Sequence, residues 1–176
     1  MTRTTAARIA GFTFLFYIAV GIGSMGGAFR GALAQPAAYA QNASAVILAL
    51  TLFVVTRVEQ PVIAALGMIF RLAEGTRRAA FALAGITLER ASLVDATLFA
   101  IGSLFFCWLL LSGRMLPRGL AWVGVIASMI LVVCLPLQLA GLLHAPLTIL
   151  MWMPMLAFEV PAGLWLLIRG VPPSRS

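Results

Sequence analysis

The sequence predicts an all-α fold, a six-helix transmembrane bundle, from its composition and from the arrangement of its apolar residues. Hydrophobic residues make up 62% of the 176 positions and charged residues only 10%, whereas a soluble domain has about 25% charged residues. The apolar residues are gathered into runs, and about 20 such residues are needed to cross a bilayer. We expect one integral-membrane domain over residues 1–176, with spans at about 9–29, 43–57, 62–84, 92–113, 119–142 and 147–168.

The first apolar run also has features of a secretory signal, because Arg3 and Arg8 precede it and two A-x-A patterns follow it. Its length of about 20 residues suits a span better than the shorter apolar region of a signal. Arg30 also stands between the run and either A-x-A pattern. We therefore expect the first helix to be retained.

Prolines and polar residues mark the connections between the spans. Residues 30–42 are predicted to form a loop, because Pro36 and its polar neighbours break a helix. The second span is then short, unless it begins earlier, near Ala37, or crosses a thinner part of the bilayer. Pro61 suits the first turn of the third helix. Pro136 is predicted to kink the fifth span or to loosen its outer end.

The arginines predict the orientation of the bundle. Six spans place both termini on one side, and cytoplasmic loops carry an excess of arginine and lysine. With both termini inside, seven arginines lie inside and two to four outside. The inside set is Arg3, Arg8, Arg57, Arg114, Arg118, Arg169 and Arg175, and the outside set is Arg30 and Arg90, with Arg77 and Arg78 at the outer end of the third helix. We expect an N-in, C-in topology.

The net charge of +7 does not indicate a nucleic-acid-binding protein. The arginines stand singly, mostly at the ends of apolar runs, and no basic face alternates with aromatic residues. We expect membrane lipids as partners and no nucleic acid.

Residues for metal or nucleophilic chemistry are scarce in the sequence. The two cysteines, Cys107 and Cys134, lie inside predicted helices, and we interpret them as packing residues. The lone histidine, His144, falls in a short predicted turn at 144–146, and residues 86–91 form another connection. No nucleotide-binding, zinc-protease or serine-hydrolase motif occurs. We expect no metal and no cofactor, and the sequence assigns no catalytic residue.

Three charged residues fall near the middle of predicted spans. Arg71 and Glu74 lie three residues apart on one face of the third helix, and Glu159 lies near the middle of the sixth. A charge at the centre of a membrane helix costs about 2.5–3.5 kcal/mol on insertion scales. One arginine facing two carboxylates predicts a negative site, in which one carboxylate pairs with Arg71 and the other is neutral. This cluster either fixes helix packing or lines a cavity that binds a polar group, moves a proton or performs acid–base chemistry.

A second group of charges is predicted at the outer ends of the third and fourth spans. Asp95 lies at a depth similar to that of Arg77, Arg78 and Arg90. The group is either an interfacial set of salt bridges or a vestibule that leads down to Glu74. Arg78 and Asp95 are therefore secondary candidates for the site.

Small residues recur every fourth position in the first span, at Ala19, Gly23, Gly27 and Gly31. Such a stripe allows another helix to approach closely. It predicts packing inside the bundle or a homodimer through the Gly23/Gly27 face.

Four segments of the chain resemble the bacterial DUF4386 family of small multi-span membrane proteins. They are AARIAGFTFLFYIAVGI at 6–22, FRLAEG at 70–75, SGRMLPRGLAWVGVIAS at 112–128 and AFEVPAGLWLLIRGV at 157–171. The sequence departs from the family around the second span, which is shorter, and in LERASLVDATLFAIG, which lacks the expected histidine- and tyrosine-bearing pattern. The resemblance implies a six-helix protein of a bacterial cytoplasmic membrane with no established activity.

Three classes of function remain open from the sequence. The first is a membrane protein that binds or moves a hydrophobic or amphipathic small molecule around Arg71, Glu74 and Glu159. The second is a membrane enzyme that uses a buried carboxylate on a lipid-like substrate. The third is a structural or regulatory membrane partner without a small ligand.

Overall fold

The computed structural model describes residues 2–83, 89–144 and 146–172, and these residues form helices joined by short turns. The helices are α1 (Arg3–Met25), α2 (Ala34–Thr56), α3 (Pro61–Leu83), α4 (Glu89–Ser112), α5 (Arg118–Leu139), the one-turn α6 (Leu147–Leu150) and α7 (Met153–Arg169). A short 3-10 turn, Gly31–Leu33, leads into α2. The described residues contain no strand, so the predicted all-α fold is confirmed.

The predicted loop at 30–42 is wrong over most of its length. Residues 34–42 belong to α2, which has 23 residues and is therefore long enough to cross a bilayer. Pro36 lies in the first turn of this helix, where the backbone N–H groups have no partner within the helix. Its missing N–H therefore costs nothing there, and Pro36 does not end the helix.

The other helix boundaries differ from the predictions by smaller amounts. Helix α1 begins six residues earlier than the predicted span and ends four residues earlier. The last predicted span is divided, because a turn at Met151–Trp152 separates α6 from α7. Pro154 follows this turn in the first turn of α7. Helix α5 continues past Pro136 to Leu139. The predicted connection at 86–91 lies largely outside the described residues, as do Arg175 and the side chain of Arg90.

The long helices form a closed ring. Each packs against its neighbours in sequence, from α1 to α5, and α7 completes the ring by packing against both α5 and α1. The ring has two ends. At the Arg3 end, α1, α3 and α5 begin and α2, α4 and α7 terminate. At the Arg77 end the directions are reversed.

Helices α1 and α7 approach each other most closely through glycine. A Cβ atom on Gly11 would lie 2.4 Å from the backbone nitrogen of Leu167 and 2.6 Å from the carbonyl oxygen of Gly163. The absence of a side chain at Gly11 is therefore what lets α7 close the ring against α1.

The predicted small-residue stripe does not form one helix face. Helix α1 ends at Met25, and Gly27 lies beyond it with φ 77°. Gly23 is covered by the ring of Phe29, since a Cβ there would lie 2.6 Å from that ring. The homodimer through Gly23 and Gly27 stays a prediction.

The length and the surface of the helices fit a membrane. Five helical segments among the described residues are long and apolar enough to span a bilayer. Helix α3 is not among them because its 23 residues include four charged ones. Large apolar side chains are exposed around the outside of the ring, for example Val62, Ile149 and Ile168, whereas a soluble protein rarely exposes so many together. The chain is therefore a membrane-embedded bundle in which α3 buries Arg71 and Glu74 on its inner side.

Candidate functional site

Arg71 and Glu74 form an ion pair inside the bundle. Arg71 Nη1 donates to Glu74 Oε2 at 2.7 Å, and the two side chains are 2% and 0% exposed. The spacing of three residues puts both on one face of α3, one turn apart. Burial of a charge is tolerated when it is paired in this way, because an isolated ion in an apolar medium loses its solvation without compensation.

The rest of the Arg71 side chain is enclosed by α4 and α1. Its guanidinium carbon lies 4.4 Å from the centre of the Phe99 ring and 6.0 Å from the centre of the Tyr17 ring. A cation over an aromatic face is attracted by the ring quadrupole. Gly102 makes room for the aliphatic part, since a Cβ there would lie 2.7 Å from Arg71 Cγ. Helix α4 therefore supplies both an aromatic face and a gap for this arginine.

The second carboxylate oxygen of Glu74 faces Arg78. Its Oε1 lies 3.3 Å from Arg78 Nη2, but it is buried and makes no hydrogen bond within the described structure. Arg78 Nη1 donates instead to the hydroxyl of Tyr17 on α1 at 3.2 Å. We call Tyr17, Arg71, Glu74 and Arg78 the Arg71 cluster, and it ties α3 to α1.

Asp95 belongs to a separate ion pair. Arg77 Nε donates to Asp95 Oδ1 at 2.8 Å, and Arg77 is 39% exposed. The sequence predicted that Arg77, Arg78 and Asp95 form one outer group. The structure divides them, with Arg77 joined to Asp95 and Arg78 joined to Glu74 and Tyr17, because residues 77 and 78 leave the helix in different directions.

Glu159 is buried on α7 without a partner. It is 7% exposed and has no hydrogen bond or ion pair to any residue of the described ranges. The charges of Arg71 and Glu74 nevertheless act on it. The three residues therefore lie near one another, as their expected common depth suggested, but Arg71 forms its ion pair with Glu74 and not with Glu159.

A small cavity lies between Glu159 and Arg71. Its volume is about 10 Å³, and five helices of the ring contribute to its wall. Arg71, Glu159, Ser103 and Cys107 supply the polar atoms of the lining. The other lining residues are apolar, with Phe14, Phe106 and Phe158 among them. A cavity needs a volume of about 10–15 Å³ to hold one water molecule. The space beside Glu159 is thus of the size of a single water.

The charges around the cavity balance when all are ionised. Arg71 and Arg78 carry two positive charges, and Glu74 and Glu159 carry two negative ones. The sequence predicted a net negative site because it grouped only Arg71 with the two carboxylates. Arg78 changes this balance, so that protonation of Glu159 leaves one positive charge in excess.

Several residues of the site were not found from the sequence. Tyr17, Phe99 and Gly102 gave no separate signal, because aromatic residues and glycines are common in membrane helices. Their roles depend on which helices are neighbours. No group of three or more potential metal ligands occurs within the residues that the structure describes. His144 lies exposed in the turn before α6.

The fold and the buried charges define a small multi-span membrane protein with an ionisable centre. The family profile described as "Domain of unknown function (DUF4386)" matches residues 76–170, which is more than half of the chain. The chain belongs to this family. The matched region includes Glu159, Arg78 and Asp95, whereas Arg71 and Glu74 lie just before it. No protein of curated function matches the chain, and no solved structure matches it.

Proposed function

We propose that the protein binds or moves a hydrophobic or amphipathic small molecule, whose polar part is held by Arg71, Glu74 and Glu159. The observation that carries the proposal is Glu159, a buried acidic residue with no hydrogen-bond partner in the described ranges. It lies at the wall of a cavity that it shares with Arg71. An ionisable residue inside a membrane bundle is costly, and such residues commonly mark a substrate or ion route.

The ligand enters only if the bundle opens. Ligand sites usually have about 300–1,000 Å³, far more than the cavity of about 10 Å³ beside Glu159. The turn at Met151–Trp152 interrupts the last span at the Arg77 end. A displacement of α7 about this turn would separate Glu159 from Arg71 and widen the cavity between them.

A structural role is the second candidate, and the closed pair of Arg71 and Glu74 favours it. With Tyr17 bonded to Arg78, the Arg71 cluster joins α1, α3 and α4 at one level. This role accounts for Arg71, Glu74 and Arg78 but leaves Glu159 unexplained. No observation on the described residues favours a membrane enzyme.

We also propose that the protein lies in a bacterial cytoplasmic membrane in an N-in, C-in orientation, and the distribution of arginine supports this orientation. The arginines at the Arg3 end are Arg3, Arg8, Arg57, Arg114, Arg118 and Arg169, and those at the Arg77 end are Arg30, Arg77 and Arg78. Because cytoplasmic ends carry the excess of arginine, we place the Arg3 end in the cytoplasm.

Native mass spectrometry of the purified protein tests the ligand proposal. We expect a retained small molecule on the natural protein, and an occupancy about tenfold lower for Glu159→Gln, which corresponds to about 1.4 kcal/mol of binding free energy. Glu59→Gln is the matched control, because Glu59 lies in the turn at the Arg3 end, where it pairs with Arg3. Unchanged occupancy in both Glu74→Gln and Glu159→Gln would show that the ligand is not held at this site.

A further inference from the structure

We propose that Glu159 is a proton-binding site that exchanges protons with the solution at the Arg77 end of the bundle and not at the Arg3 end. This inference does not depend on an amphipathic ligand. It follows from the size of the cavity, from the position of the polar groups along the bundle and from the packing of the opposite half.

The cavity admits nothing larger than water in this conformation. At about 10 Å³ it has room for one water molecule. Glu159 lies at its wall with no partner in the part of the chain that the structure describes. The species that reaches the carboxylate there is therefore a water molecule or a proton. Binding is a simple proton transfer, in which a hydronium ion from the solution gives a proton to a carboxylate oxygen of Glu159, leaving a water molecule and the neutral carboxyl. Release returns the proton to water.

Polar groups connect the cavity with the Arg77 end. Arg71 lines the cavity and bonds Glu74, and Glu74 lies 3.3 Å from Arg78. Arg78 is 32% exposed, so it reaches the surface of the bundle. These three residues lie on one face of α3, and the half of this helix that precedes Arg71 contains no charged residue.

Unpaired buried atoms are also found on the Arg77 side. They are Glu74 Oε1, Asn42 Nδ2 and Gln138 Oε1, and each has no hydrogen bond to the described part of the chain. Asn42 lies in the first half of α2, against Gly75 of α3, and Gln138 lies in the last turn of α5. Buried polar atoms of this kind are usually satisfied by water. Water in this half of the bundle is therefore favoured by three separate groups.

The Arg3 half is closed by apolar packing. Leu52 and Leu110 form the cavity wall on the side of this end, and Leu166 lies in the last turn of α7. Each of the three is at most 2% exposed. Beneath them, Arg3 donates to the carbonyl oxygen of Val55 at 2.8 Å and pairs with Glu59 at 3.2 Å. In this half of the described chain, the buried hydroxyls of Thr51 and Thr56 donate to carbonyl oxygens of their own helix. They therefore do not form a chain of polar groups that could carry a proton through this layer.

The ionisable groups around Glu159 come from several helices. Glu159 interacts electrostatically with Arg71 and Glu74 of α3 and with Cys107 of α4. Helix α7 packs against α1 and α5. Helix α1 contributes Tyr17, which belongs to the Arg71 cluster through its hydrogen bond with Arg78. On α5 the ionisable residues are Arg118, at the start of the helix, and Cys134, near its end.

Infrared spectroscopy of proteoliposomes tests both the titration and its sidedness. A C-terminal affinity tag marks the Arg3 end, because α7 terminates there, and it separates vesicles of the two orientations. The external pH is changed rapidly while the internal buffer is kept constant, and the carboxyl band of protonated Glu159 is followed. Glu159→Gln identifies the band by its loss, whereas Glu59→Gln and Asp95→Asn retain it.

We expect the band to respond at once only when the Arg77 end faces the external solution. We also expect Arg78→Leu to slow this response at least about tenfold, which is about 1.4 kcal/mol on the barrier. Arg8→Leu, at an exposed arginine of the Arg3 end, is the control. Equal responses in both orientations, a response only from the Arg3 end, or no band at any pH would each overturn the proposal. The orientation comparison uses the unmodified protein, so it remains decisive if Arg78→Leu does not fold. Retention of a ligand is a separate measurement, so either proposal can fail alone.

Discussion

Arg71 and Glu74 form an ion pair within α3, with 2.7 Å between Nη1 and Oε2, and this pairing leaves Glu159 of α7 without a partner among the described residues. The three charges lie near one another, but only two of them form a bond. The pair can therefore serve the stability of the bundle while the remaining carboxylate is free to react with something else.

Replacing Arg71 alone should destabilise the bundle. Arg71→Met leaves Glu74 buried with only the more distant Arg78 as a counter-charge. Breaking a buried ion pair on one side costs about 3–5 kcal/mol, and we expect a loss near the lower value. Thermal unfolding in detergent, followed by circular dichroism, measures it.

The double variant Arg71→Met/Glu74→Gln is the control for this prediction. It removes both charges, so its loss should be clearly smaller than the sum of the two single losses. Additive losses would mean that the ion pair makes no net contribution.

Gly102 should be required for the position of Arg71. The Cβ of Gly102→Ala would lie 2.7 Å from Arg71 Cγ and 3.1 Å from the carbonyl oxygen of Gly67. Overpacking of this kind costs about 1–3 kcal/mol. Gly119→Ala is the matched control, because a Cβ there meets nothing within 4 Å, and alanine favours a helix over glycine by about 1 kcal/mol. Equal unfolding temperatures for the two variants would contradict the prediction.

Gly11→Ala should have a larger effect than Gly102→Ala. The atoms closest to the new Cβ belong to the backbone of α7, at Leu167 and Gly163, and a backbone cannot rotate away as a side chain can. We expect a loss at the upper end of about 1–3 kcal/mol and a weaker association of α1 with α7. Unfolding measurements test the first effect, and cross-linking between cysteines introduced into α1 and α7 tests the second. An unchanged cross-linking yield would show that the helices do not need this close approach.

Tyr17→Phe should loosen the contact between α1 and α3 without disturbing the pair of Arg71 and Glu74. It removes the hydroxyl that accepts a hydrogen bond from Arg78 at 3.2 Å, and one such bond contributes about 1 kcal/mol, or somewhat more when one partner is charged. Tyr39→Phe, at a tyrosine that is 41% exposed on α2, should leave the unfolding temperature unchanged. Equal shifts for the two variants would argue against a role for the Tyr17 hydroxyl.

The contacts of Glu159 show where prediction from sequence stopped. Its depth followed from counting residues along the sixth span, and the depths of Arg71 and Glu74 followed in the same way. Whether Arg71 turns to Glu74 or to Glu159 depends on the positions of Phe99 and Gly102 on α4. The spacing of residues within α3 and α7 carries no information about these positions. The sequence likewise placed Arg78 only at the outer ends of the helices. Its contact with Tyr17 joins residues 61 positions apart, and local spacing does not predict such a contact.

Local patterns determined the class of this protein. Long apolar runs interrupted by polar turns are sufficient to predict a bundle of membrane helices, because the bilayer fixes the length and polarity of a span. The failure at Pro36 was also local, since a proline in the first turn of a helix looks the same in sequence as one in a loop.

The tertiary structure decided what the sequence left open: that α7 closes the ring against α1, that Arg71 pairs with Glu74, and that Glu159 is left beside a space the size of one water. These outcomes depend on contacts between different helices, and such contacts are set by packing and not by periodicity.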